Sequence, residues 1–249
     1  MGAAPAQRSN LASVLETNLA AYQALADDYY ATSPLRLRHA DSWLGVVPTD
    51  VRPATLGHAL DIGCADGAHA YRLAKLGYDV TAVDFSPRMI ELARSRRPRS
   101  WNDRSPVFLE GEFLSGRFRD AGGKAAELDG PFDLVVANAF VHLFPEPIDA
   151  TVVGKALGLV GHGGKALFST TIEESRQEGY FEKVSSDGWS VGRWRGHYPK
   201  DEFIALVREA AGQAFVVSDQ MTSDMRGRAW LTVSAQRPVD AAEPDNEKP

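Results

Sequence analysis

An α/β fold on a doubly wound, mainly parallel sheet is predicted by three features of this 249-residue chain. Short runs rich in Val, Leu, Ile and Phe alternate with segments of helical period, the pattern of strands joined by crossover helices. The helical segments carry start and stop residues of their own. The last two apolar runs stand too close together for a crossover helix, so an otherwise parallel sheet ends in an antiparallel strand.

Seven runs read as strands: HALDI, DVTAVD, PVFLE, FDLVVAN, GKALFST, AFVVSD and AWLTVSA. Between the first two, GAHAYRLAKLG has apolar residues at helical spacing and ends on Gly77, a natural residue for the left-handed stop of a helix. SPRMIELARSR begins with Ser86 as N-cap and Pro87 at the first helical position. The last two strands, near 214–221 and 229–236, are separated only by TSDMRGR. Ahead of the first strand, residues 10–31 have helical periodicity and are expected to cap the carboxyl edge of the sheet.

One domain is therefore expected over 10–237, with an N-terminal cap (10–56), a ligand-binding core (57–170) and a polar, aromatic insertion (171–200). Residues 1–9 and 238–249 are small, polar or charged, have little to bury, and read as flexible ends. A net charge of −6 without a basic block argues against nucleic acid as a partner. The single cysteine, Cys64, removes any disulfide framework, and no metal-binding motif is present, so no metal is expected. Without a signal-like or membrane-length apolar stretch, a soluble cytoplasmic protein is expected, as monomer or homodimer.

The chemistry is carried by LDIGCADG. Gly63 and Gly67 let the backbone approach a ligand at the carboxyl end of the first strand, where open α/β sheets bind them. The turn lacks the middle glycine of a dinucleotide fingerprint, and Asp61 and Asp66 bracket it with negative charge. Two carboxylates repel a pyrophosphate and welcome a cation. Asp84, about 20 residues beyond the glycines, ends the second strand where a carboxylate grips a ribose diol.

Together, LDIGCADG, VDFSPRMIELAR, EGEF, FDLVVANAFVHLF and GHGGKALFS, in order over residues 58–170, resemble the class I S-adenosylmethionine-dependent methyltransferases, in particular the small-molecule group. The departures are Ala65-Asp66 where Gly-Thr is usual and Glu112 where Asp is commoner. The resemblance implies a seven-stranded sheet with an antiparallel last strand and S-adenosylmethionine as cofactor. It also implies backbone from Gly63, Cys64, Ala65 and Gly67 along the methionine and ribose, and Asp84 on the ribose hydroxyls. Phe85 and Met89 would flank the adenine, with Glu112 and the Phe113 amide at its polar edge. Carbonyls of Asn138 and Ala139 would face the methionine end, while Asp61 supports the turn or acts through water.

Methyl transfer requires an aligned nucleophile and, for some acceptors, a base. His142 follows the fourth strand and is the first candidate base, with His197 and Tyr198 as alternatives. In the insertion, strand alternation puts Arg193 and Arg195 on one face, away from Trp194, and paired guanidiniums suit an anionic or aromatic acceptor. Surface pairing with Glu173, Glu174, Glu178 and Glu182 is the competing account of these arginines. Tyr30 of the cap and Arg36, Arg38 and His39 are further acceptor-side candidates. The expected function is methylation of O or N on a small organic molecule, suited to natural-product tailoring. The alternatives are a nicotinamide-dependent oxidoreductase and a non-catalytic binding protein on the same sheet.

Overall fold

The computed structural model describes residues 11–32, 57–96, 105–224 and 227–239. The termini 1–9 and 240–249, and Arg36, Arg38 and His39, lie outside the described residues. Helices α1 (Leu11–Ala24) and α2 (residues 26–32) precede β1 (His58–Ile62), α3 (Ala68–Leu76), β2 (Asp79–Asp84), α4 (Pro87–Ser95) and β3 (Val107–Glu112). Two short strands, β4 (Arg117–Arg119) and β5 (Ala125–Ala126), lead to β6 (Phe132–Asn138), a 3-10 turn over Val141–Leu143, and α5 (Ile148–Gly158). Next come β7 (Val160–Thr171), the pair β8 (Gln177–Val184) and β9 (Ser190–His197), α6 (Lys200–Ala211), β10 (Val216–Ser223) and β11 (Ala229–Gln236).

The main sheet runs β10-β11-β7-β6-β1-β2-β3-β4-β5. Its first seven members are the seven expected strands, and β11 is antiparallel to both its neighbours, β7 and β10. The sheet is nine-stranded because β4 and β5, of three and two residues, extend the β3 edge antiparallel. Pieces that short leave no apolar run to read. A second difference lies in the 171–200 insertion, which is an antiparallel two-stranded sheet, β8 with β9, rather than a loop.

Alternation along the central strands buries both faces. Leu60, Val135, Ala137 and Phe168 join Val152, Val153 and Ala156 of α5 and Phe203 and Val207 of α6 on one side. Ala59, Val80, Ala82 and Val136 meet Leu73 of α3 and Ile90 and Ala93 of α4 on the other. The helix signals fall where expected: Gly77 closes α3 at φ 108°, and the Ser86 hydroxyl accepts from the Met89 N–H, with Pro87 opening α4.

Asn18 fastens the cap. Buried at mid-helix in α1, it donates to the Leu143 carbonyl at 3.3 Å and accepts from the Trp194 N–H at 2.9 Å, joining α1 to the 3-10 turn and to β9. Asn18→Ala strands a buried amide and a carbonyl, and is expected to lower the unfolding free energy by about 1–3 kcal/mol. Denaturant unfolding checks this, and an unchanged midpoint would mean the cap is held by its apolar contacts alone.

Candidate functional site

Strand β1 lies between β2 and β6, so the crossovers diverge on its two sides and a crevice opens beyond its carboxyl end. The turn filling that end is left-handed at Gly63 (φ 70°), Ala65 (φ 48°) and Gly67 (φ 75°). For Ala65 this conformation costs about 1–2 kcal/mol, and it is held because the Ala65 N–H donates to Asp84 Oδ2 at 2.9 Å. The Gly63 and Cys64 amides both donate to the Val83 carbonyl, and the Gly67 amide to that of Cys64. These four amides are committed within the protein, so they form no nest for a pyrophosphate.

The carboxylates divide into two kinds. Asp66 is fully buried and paired with Arg96 at 2.5 Å, and its charge still contributes, after larger causes, to the raised pKa values of Asp61 and Asp84. Asp84 bridges the two turns, accepting from Ala65 and, at 2.9 Å, from the Ser86 N–H. Burial raises its pKa to about 6, against the pull of those amides. Asp61 is raised further, to about 7, by burial and then by the neighbouring Asp84 charge, and its Oδ2 has no hydrogen-bond partner. Cys64 is buried in the core with its thiol pKa pushed up by burial, an inert side chain whose backbone shapes the turn.

Beyond the turn lies a narrow, mostly apolar pocket that brings together the expected residues Gly63, Asp84, Phe85, Glu112 and Phe113. Leu15 and Asn18 close it from α1. Glu112 is folded onto its own loop, its two oxygens accepting from the Leu114 and Ser115 amides at 2.7 and 2.6 Å. Met89 does not reach the pocket: it is buried against Tyr22 and Ala26, so its role is packing under the cap. The Asn138 side chain turns to Ser169 and His69, and Ala139 is left-handed at φ 53° with its N–H on the Ser169 carbonyl.

Sequence reading missed Phe140. Its ring occupies the space a Gly63 side chain would need, 2.5 Å from an ideal Cβ, and packs edge-on against Phe113 and Phe144. A phenylalanine after a core strand looks like ordinary core. Tyr22 was missed likewise: it is buried between Phe85 and Arg193, and burial raises its hydroxyl pKa to about 12.

On the side where the acceptor is expected, β9 packs against α1 and the 3-10 turn. His142 is buried, with Nδ1 3.0 Å from Thr170 Oγ1, and burial followed by the charges of Arg195 and Arg193 holds its pKa well below the usual imidazole value. Arg193 donates to the Tyr22 hydroxyl at 2.5 Å, and Arg195 to the Thr171 hydroxyl. The His197 ring lies tilted against that of Phe181, centroids 4.6 Å apart, and faces Glu173 at 3.6 Å, with burial and Arg195 lowering its pKa.

Three expected site residues are placed elsewhere. Trp194 is buried on the opposite face of β9 from the arginines and offers no open ring. The Tyr198 hydroxyl donates to Asp149 at 2.7 Å under the Arg176 guanidinium, deep in the core, which leaves it no proton-transfer role. Tyr30 is exposed, its ring under the Arg96 guanidinium. Nor do Arg193 and Arg195 neutralise the insertion's glutamates: it is Arg176 that pairs with Glu178, and with Asp149.

The chain matches the family described as "Methyltransferase domain" over residues 59–164. It is similar to the ubiquinone biosynthesis O-methyltransferase of Xanthomonas euvesicatoria pv. vesicatoria (strain 85-10), 27% identical over 209 residues that cover 82% of this chain and 79% of that protein. Its fold is similar to that of the Burkholderia thailandensis 1,6-didemethyltoxoflavin-N1-methyltransferase with bound 1,6-didemethyltoxoflavin and S-adenosylhomocysteine, at TM-score 0.64 and 18% identity, covering 96% of this chain and 93% of that one. It is likewise similar to DhpI in the DhpI-SAH complex, at TM-score 0.63 and 18% identity, covering 92% and 99%.

The raised Asp61 pKa sets a sign for stability against pH. The folded state favours the protonated acid, so the penalty is absent below about pH 4, grows as pH rises through 7, and then levels off. Asp61→Asn is therefore expected to stabilise the ligand-free protein at pH 8 relative to wild type, by on the order of a few kcal/mol more than at pH 4. Thermal unfolding of both proteins across that range is the check, and parallel curves would place the Asp61 carboxyl in contact with solvent.

Proposed function

We propose that this chain, whose residues 59–164 match the family described as "Methyltransferase domain", is a class I S-adenosylmethionine-dependent methyltransferase that methylates an oxygen or nitrogen atom of a small organic molecule. The observation that carries the reading is the β1 turn, with its amides committed internally and two buried carboxyls of raised pKa beside the crevice. Such a turn disfavours the pyrophosphate of a nicotinamide cofactor and suits a nucleoside bearing positive charge. The unpartnered Asp61 Oδ2 is a buried acceptor that S-adenosylmethionine, a cation, would help compensate, so the residues fit that cofactor.

When bound, S-adenosylmethionine supplies a methyl carbon activated by its sulfonium, leaving the protein to bind, orient and exclude water. In this reading Asp84 uses its remaining lone pairs for the ribose hydroxyls, and Gly63 to Ala65 pass their backbone along the ribose and methionine. Phe85 packs on the adenine while Glu112 and the Phe113 amide meet its polar edge. Phe140 fixes the floor by filling the Gly63 notch. The low proton affinity of His142 makes it a poor base toward an alcohol at neutral pH. We assign it to positioning an acceptor that enters either as the conjugate base, its proton already given to solvent, or as an amine whose free lone pair attacks directly.

Related proteins named for O- and for N-methylation leave both atoms open for this chain. Tailoring of a natural product in a reducing cytoplasm is the setting we infer from the fold and the single buried cysteine.

Asp84→Ala removes ribose acceptors and also frees the Ala65 and Ser86 amides that now bind them. Its affinity for S-adenosylhomocysteine is expected to fall by about 1.5–3 kcal/mol, roughly tenfold or more. Calorimetric titration measures it; equal binding by both proteins would remove Asp84 from the site, and binding of NADH instead would overturn the cofactor.

A further inference from the structure

The acceptor side holds three cations whose charge no carboxylate of the described residues neutralises. Arg193 and Arg195 share one face of β9, and Lys183 lies on the same face of β8, where Phe181 pairs with Arg193 and Lys183 with Val191 in register. Arg193 is 7% exposed, and its hydrogen bond goes to a neutral phenol, that of Tyr22. Arg195 bonds to the Thr171 hydroxyl, while its Nε is buried without any hydrogen-bond partner. The acids nearby are engaged elsewhere: Glu173 faces His197, and Asp224 holds Arg228. Burial together with Arg193 lowers the pKa of both neighbours, Arg195 to about 10.

Buried charges in proteins are paired, coordinated or matched by a ligand. This group sits at the carboxyl end of β7, around Thr171, and its field reaches His142, whose side chain bonds to the adjacent Thr170. On its other side Tyr22 is the shared wall: it holds Arg193 and touches Phe85 of the cofactor-side pocket.

We propose that Arg193, Arg195 and Lys183 form an oxyanion subsite that selects a small-molecule acceptor carrying a carboxylate or a chemically similar acid. The inference rests on the methyltransferase reading and adds the acceptor's class to it. The subsite is an anchor and not the methylated end, because an oxyanion held by two guanidiniums has its lone pairs drawn into those hydrogen bonds and is a poor nucleophile. The methyl goes to another oxygen or nitrogen of the same acceptor.

The test uses the full chain and three matched probes: 4-hydroxybenzoate, 4-hydroxyphenylphosphonate and the neutral 4-hydroxybenzamide, each titrated into protein saturated with S-adenosylhomocysteine. The two acids are expected to bind at least tenfold more tightly than the amide. Arg195→Gln and Lys183→Met are each expected to erase most of that preference, on the order of 10-fold, with Arg195→Lys retaining part of it and S-adenosylhomocysteine affinity unchanged in all three. Stronger binding of the carboxylate than of the phosphonate would set the acid as planar, and the reverse order as tetrahedral. Equal binding of acids and amide by wild type, or an acid preference that survives both substitutions, overturns the subsite. Loss of S-adenosylhomocysteine binding by wild type itself would instead overturn the cofactor reading. Should Arg195→Gln fail to fold, Lys183→Met, at a less buried position, decides the matter alone.

Discussion

The Asp84 carboxylate ties together the two turns from which the site is built. One oxygen accepts from Ala65, in the turn after β1, and the other from Ser86, which caps α4 after β2. Neither turn is stable in this form by itself: Ala65 is left-handed without being glycine, and a helix start needs its first amides satisfied. Placing one carboxylate between them fixes the separation of the crossover helices at the crevice. It also leaves a partly desolvated acid at the crevice's edge.

The rest of the site follows from a separation of charge. Asp61 and Asp84 stand on the β1 and β2 side, while Arg193, Arg195 and Lys183 stand on the hairpin side, with Tyr22, Phe85 and Leu143 between. Helix α1 lies against both, lining the pocket beside Asp84 and packing on β9, where Asn18 pins it to the 3-10 turn and to the strand. In a low-dielectric interior each unmatched group is unfavourable without a ligand and favours one of opposite sign. A positively charged methyl donor and an anionic acceptor would relieve both at once. Such a site holds its reactants by charges already in place, with little reorganisation at the moment of transfer.

The turn and cap geometry beyond β1 and β2 was legible in the sequence because its signals are local. Gly63, Asp84 and the Ser86-Pro87 helix start are encoded within one βαβ unit, at spacings the backbone dictates. The acceptor side depends on contacts between distant segments, such as Arg193 with Tyr22 or Tyr198 with Asp149. Nothing in a run such as GRWRGHY reveals that its tryptophan and tyrosine turn into the core while its arginines bond to the Tyr22 and Thr171 hydroxyls, with no carboxylate partner among the described residues. Strand alternation separated Trp194 from the arginines correctly, but it could not say which face meets the cap. Similarly, nothing beside Asp66 in the sequence shows that its ion-pair partner is Arg96, thirty residues on.

Two buried acids stand ready for a positive charge, and proton exchange on binding reads this directly. With Asp61 and Asp84 near 7 and 6 in the ligand-free protein, a bound cation lowers both and expels protons. Calorimetric titration of S-adenosylmethionine at pH 6.5, in two buffers of different ionisation enthalpy, is predicted to show release of roughly one proton per cofactor bound, vanishing by about pH 9. Tight binding with no proton exchange at pH 6.5 would contradict the central role given to these carboxyls.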